Sequence, residues 1–91
     1  MNATQRKQLV KIANKIYDLA NEIDHLREEL EEMNEVEQEK YDNMPEGLQE
    51  SERGCRMYEG IEALEELVSR IDESVSELYD ISNDVEHVTD I

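Results

Sequence analysis

The sequence predicts an all-α fold, an antiparallel two-helix coiled-coil hairpin that dimerises into a four-helix bundle. Leu9, Ile12, Ile16, Leu19, Ile23, Leu26, Leu30 and Met33 recur at alternating steps of three and four. Met57, Ile61, Leu64, Val68, Ile71, Val75 and Leu78 do the same. That period buries one narrow stripe of a helix against another helix. The two seams match in length and are separated by one short turn signal. The third observation is composition: 91 residues, 37% hydrophobic and 4% aromatic, with no Trp or Phe. A broad globular core cannot be filled from that inventory, whereas a thin core of Leu, Ile and Val can. One small hairpin buries little surface, and self-association is the ready remedy.

The whole chain, 1–91, reads as one domain. Its first helix starts near residue 4, where Asn2 followed by Gln5 offers a capping box, and runs to about residue 41. The turn is placed at 42–45, within Asp42-Asn43-Met44-Pro45-Glu46-Gly47. Asn43 is a good N-cap with Glu46 three residues later, and Pro45 is tolerated in a first helical turn. Met44, preceding a proline, resists helical geometry. The second helix is then expected over about 45–88. Gly47, Gly54 and Gly60 weaken its start by about 1 kcal/mol each relative to alanine.

An antiparallel register can be written from the seams alone. Pairing Leu9 with Leu78 also pairs Ile16 with Ile71, Ile23 with Leu64 and Leu30 with Met57, and sets Met33 against Gly54. Charge agrees with the antiparallel sense. Arg6, Lys7, Lys11 and Lys15 oppose the single acid Asp18 in the first twenty residues. A basic helix start opposes the macrodipole, but an antiparallel partner brings Asp72, Glu73, Glu77, Asp80 and Asp84 beside it.

A second stripe, Val10, Ala13, Tyr17 and Ala20, follows the same steps on the first helix, with Tyr79 at a comparable level of the second. Small residues there would admit a neighbouring helix, so this stripe is the expected homodimer interface at the open end of the hairpin. Leu67 and Ile81 flank the main seam on its other side.

No catalytic signature is present, and no enzyme activity is expected. Glu22-Ile23-Asp24-His25 and Asp84-Val85-Glu86-His87 have the spacing of di-metal bundle ligands, but His25 falls off the seam and His87 lies at the far end. No metal or other cofactor is expected. Cys55, the only cysteine, has no neighbouring His and only Arg53 and Arg56 to activate it; a lone thiol suits a reducing compartment. The first twenty residues lack the apolar run of a signal peptide or membrane span, so the cytoplasm is the expected location.

The formal charge of −16, from 25 acidic and 9 basic residues, argues against direct binding of nucleic acid or an acidic membrane. The expected partner is a basic protein surface. Glu28, Glu32, Glu35 and Glu39 follow each other on the outer face of the first helix. Glu52, Glu59, Glu66, Glu73 and Asp80 recur every seventh position on the second, with Glu62 beside them. Adjacent acids at steps of three or four, as on the first helix, stand about 5–6 Å apart. That spacing resembles phosphates along a nucleic-acid strand, so the rows could occupy a nucleic-acid-binding groove; the plainer reading is the solvated outer face of a coiled coil.

Tyr41-Asp42-Asn43-Met44-Pro45-Glu46-Gly47-Leu48-Gln49-Glu50-Ser51-Glu52-Arg53-Gly54 resembles a segment of small Glu/Leu-rich proteins from phages and mobile elements of Gram-positive bacteria. There an aromatic-Asp-Asn-apolar-Pro-Glu stretch and a Leu-Gln-x-Ser-Glu stretch precede a Glu-rich amphipathic helix. The resemblance covers roughly residues 41–80 and brings no catalytic residues. It implies a mobile-element origin, where small acidic proteins often inhibit host defence, anti-CRISPR proteins included. The expectation is a non-enzymatic inhibitor that covers the basic, nucleic-acid-binding surface of a host defence protein, acting in the host cytoplasm. Its contact face would be Glu28, Glu32, Glu35, Glu39, Glu52, Glu59, Glu62 and Glu66. Two alternatives stand beside it. One is a scaffold coiled coil of a phage or mobile element. The other is a dimer that sequesters a small signalling nucleotide, for which Arg6, Lys7, Lys11, Lys15, Arg53, Arg56 or Arg70 would have to converge.

Overall fold

A computed structural model describes residues 1–91 as helices, turns and bends without a strand. Helix α1, Ala3–Asp42, is followed by the single turn α2, Glu46–Gln49, and by α3, Glu52–His87, which closes in a 3₁₀ turn at Val88–Asp90. α1 and α3 fold back on each other into a rod 69 Å long and 15 × 13 Å across. The 3₁₀ turn packs beside α1 as well as α3.

The start of α1 follows the sequence signal. The Asn2 side chain accepts from the Gln5 backbone N–H at 2.8 Å, and the Asn2 N–H donates to Gln5 Oε1 at 3.1 Å. Two donors that a helix start leaves orphaned are thereby satisfied.

The connection differs from expectation. Asn43 does not begin the second long helix but ends the first, its N–H donating to the Glu39 carbonyl at 3.0 Å. Pro45 opens α2, which lasts one turn, and the long helix begins only at Glu52. Its N-cap is Ser51, whose Oγ accepts from the Gly54 N–H at 3.2 Å. The Gln49 side chain donates to the Tyr41 carbonyl at 2.7 Å and stitches the connection to the end of α1. Gly54 is buried, and a Cβ there would collide with the carbonyl oxygens of Leu48 and Gln49. Its missing side chain therefore makes room for the connection's backbone. It makes no room for Met33, which is 60% exposed.

This longer connection moves the register. With Leu9 set against Leu78, Tyr17 would lie level with Arg70 and Arg27 with Gly60. Tyr17 instead stacks on Tyr79, ring centroids 5.1 Å apart, and Arg27 Nε lies 3.6 Å from Asp72. Tyr41 meets Tyr58 at 5.6 Å. The slip is of the order of a heptad. Such a slip replaces each seam residue by its equivalent in the next repeat, so a 3–4 period cannot reveal it. The basic start of α1 also finds no ion pair: Arg6, Lys7, Lys11 and Lys15 are without one.

The seam on α3 is the expected one, with Ile61 and Val75 buried and Met57, Leu64, Val68, Ile71 and Leu78 half-buried. On α1 the seam is rotated. Leu9, Ile16, Ile23 and Leu30 are half-buried as expected, but Ala13 and Ala20 are 3% and 0% exposed. Ile12, Leu19, Leu26 and Met33 face outward at 44%, 47%, 58% and 60% exposure. Small side chains let the two helix axes approach closely.

Candidate functional site

The expected dimer stripe lies inside one chain. Ala13 and Ala20 are covered by α3, Val10 is half-buried, and Tyr17 packs on Tyr79, whose hydroxyl donates to Asn21 Oδ1. Ala13 and Ala20 thus belong to the hairpin's own seam, while Tyr17 keeps 50% of its surface exposed. Of the expected seam, the row Ile12, Leu19, Leu26 and Met33 is the part left open.

Which flank is open follows from the contacts. Tyr17–Tyr79, Arg27–Asp72 and Tyr41–Tyr58 all meet along one flank of the rod. In an antiparallel pair, equivalent heptad positions share a flank. The row Ile12, Leu19, Leu26, Met33 and the row Gly60, Leu67, Ser74, Ile81 both project from the opposite flank. Leu67 and Ile81 are exposed, at 44% and 39%. One apolar face thus runs along much of the rod.

The polar flank is built around Arg27 and Asn34, which continue the row that begins with Ala13 and Ala20. Arg27 donates to Asp24 and Glu31, both at 2.8 Å, with Asp72 of α3 at 3.6 Å. Hydrogen bonding to Asp24 first, then the surrounding carboxylates, raises its pKa further despite partial burial. Asn34 is buried between the helices, and its Oδ1 has no hydrogen-bond partner. Asn34 and Arg27 border a groove of about 770 Å³ with Gln38, Glu65, Ser69 and Asp72. Neither residue stood out in the sequence. The signal that could have found them is the seventh-residue continuation Ala13, Ala20, Arg27, Asn34, with its change from small to polar.

The acidic rows are exposed, and Glu35 and Glu39 also border the groove beside Asn34. Glu28, Glu32, Glu35, Glu39, Glu52, Glu59, Glu62 and Glu66 are all exposed, as are Glu73 and Asp80. Glu52 pairs with Arg56 at 2.7 Å, and Glu28 lies 3.6 Å from His25 and 4.0 Å from Arg27. Glu62 raises the pKa of the Tyr58 hydroxyl, first as hydrogen-bond acceptor and then by its charge. Glu32, Glu35, Glu39, Glu59 and Glu66 have no ion-pair partner.

The basic residues do not converge within the hairpin. Arg6, Lys7, Lys11 and Lys15 occupy the open end, whereas Arg53 and Arg56 occupy the turn end. His25 is exposed, Cys55 is a free exposed thiol, and no group of three or more His, Cys, Asp or Glu side chains is placed to hold a metal ion. No helix is long and apolar enough to cross a membrane. No protein-family model, curated protein or solved structure matches the chain.

Proposed function

We propose that this chain is a non-enzymatic interaction module: a stiff acidic rod that covers a basic, nucleic-acid-binding surface of another protein. The observation that carries the reading is the pair of exposed carboxylate rows on α1 and α3. Six of the eight proposed contact residues are without an ion-pair partner, so their charge is available to a cationic surface. The hydrogen-bonded helices hold the rows at a fixed pitch, so little ordering entropy is lost when they dock. The resemblance of residues 41–54 to proteins of mobile elements points to a host defence protein as the partner. Self-association of the hairpin into a four-helix bundle is part of this reading, since it would leave both rows open.

Reversing Glu28, Glu32, Glu59 and Glu66 to Lys tests the reading. Capture of a basic partner from a bacterial host extract should be lost while the helical circular-dichroism signal is kept. Undiminished capture by that variant would remove the acidic rows from the mechanism. A scaffold element would instead bind through the exposed Ile/Leu row and tolerate the charge reversal.

A further inference from the structure

We infer that a second copy of this chain covers the face bearing Ile12, Leu19, Leu26, Met33, Leu67 and Ile81, with the two hairpins side by side and their turns at the same end. This rests on the self-association in the reading above and adds the face and the orientation.

The choice of seam is the first argument. Between α1 and α3 the hairpin places Arg27 and an unsatisfied Asn34, while Ile12, Leu19, Leu26 and Met33 stand in water. An isolated hairpin would gain more apolar burial by rotating α1 the other way. The seam leaves that row for another surface to take up.

Area is the second argument. A folded chain of 10.7 kDa ordinarily exposes about 5,500 Å². This one exposes 6977 Å². The excess is large enough to supply the roughly 800 Å² per partner that a stable interface takes.

Charge selects both the occupant and its orientation. The outer edge of the apolar face carries Lys15, Glu22 and Glu29 on α1, and Arg70, Glu77 and Asp84 on α3. With turns at the same end, α1 of one copy lies against α3 of the other at the level it holds within its own hairpin. Lys15 then falls between the partner's Glu77 and Asp84, and Arg70 between the partner's Glu22 and Glu29. The same placement sets Leu19 against Ser74 and Met33 against Gly60, large against small, with Ile12 near Ile81 and Leu26 near Leu67. With turns at opposite ends and full overlap, α1 meets its own copy and Glu22 faces Glu22.

The native thiol provides the test. Cys55 is exposed near the turn, and the chain has no other cysteine. A nitroxide on Cys55, read by pulsed dipolar spectroscopy, should give a distance below about 30 Å. Opposite-end packing would separate the labels by about 50 Å, at a rise of about 1.5 Å per residue, and would overturn the orientation. Sedimentation equilibrium of the unlabelled chain should give a dimer, and Leu26→Glu should give a helical monomer. A wild-type monomer at about 100 µM, well above the Kd of a specific dimer, would overturn the self-association itself. A Leu26→Glu variant that remains dimeric would overturn the face. None of these results touches the capture assay, which reports on the acidic rows alone.

Discussion

The Tyr79 hydroxyl donates to Asn21 across the seam while its ring rests on Tyr17. Burial raises its pKa first, with the nearby Asp24 carboxylate and Tyr17 adding to the effect. The sign of the linkage follows. The unfolded chain releases this proton near the ordinary value of about 10, before the folded chain does. The stability it contributes is therefore complete below that value and is lost as pH rises through the higher folded value. Absorbance titration of the phenolates should show Tyr79 and Tyr58 ionising later than an ordinary tyrosine. Tyr79→Phe should remove one late step and make the melting temperature fall less between about pH 8 and pH 11. An unchanged pH slope in that variant would show that Tyr79 ionises freely.

At the scale of elements, the connection decides more than its nine residues suggest, because it places every residue of α3 relative to α1. Ser51 caps α3, Gln49 holds the end of α1, and Gly54 lets the backbone of Leu48 and Gln49 lie against the first turn of α3. Alanine at position 54 must push that backbone aside, at a cost of about 1–3 kcal/mol. Gly54→Ala should lower the denaturation midpoint, whereas Gly47→Ala, with open space around it, should leave the midpoint unchanged or raise it. Equal effects of the two substitutions would show that the close approach at Gly54 is not needed. The seam has its own polar marker. Asn34 loses a hydrogen bond on burial, and a polar residue at a seam position disfavours slipped pairings more than it adds stability.

The whole molecule is governed by two opposing uses of charge. A formal charge of −16 on a rod 69 Å long repels itself, and that repulsion weakens the fold and would weaken the proposed self-association. Salt screens such exposed charges over about 10 Å at 0.1 M. Raising salt should therefore increase the melting temperature of the free protein and tighten the proposed dimer, while weakening the proposed complex with a basic partner. Thermal melts and partner binding measured over the same salt series check the opposite signs. A complex that strengthens with salt would place the contact on the apolar face and not on the Glu rows.

Two long helices, their antiparallel return, the capping box at Asn2 and the outward acidic rows were legible in the residues, because each depends on local spacing. The seam of α3 was legible for the same reason. On α1 the apolar arc is wide enough to have two edges, one of Ile and Leu, the other of Ala followed by Arg27 and Asn34. Periodicity alone cannot say which edge turns inward. A slip near one heptad is equally silent, since it exchanges one repeat for the next. Only the folded chain decided both. The extent of the connection from Asn43 to Ser51 set the height of α3, and close helix approach across Ala13 and Ala20 set the rotation of α1.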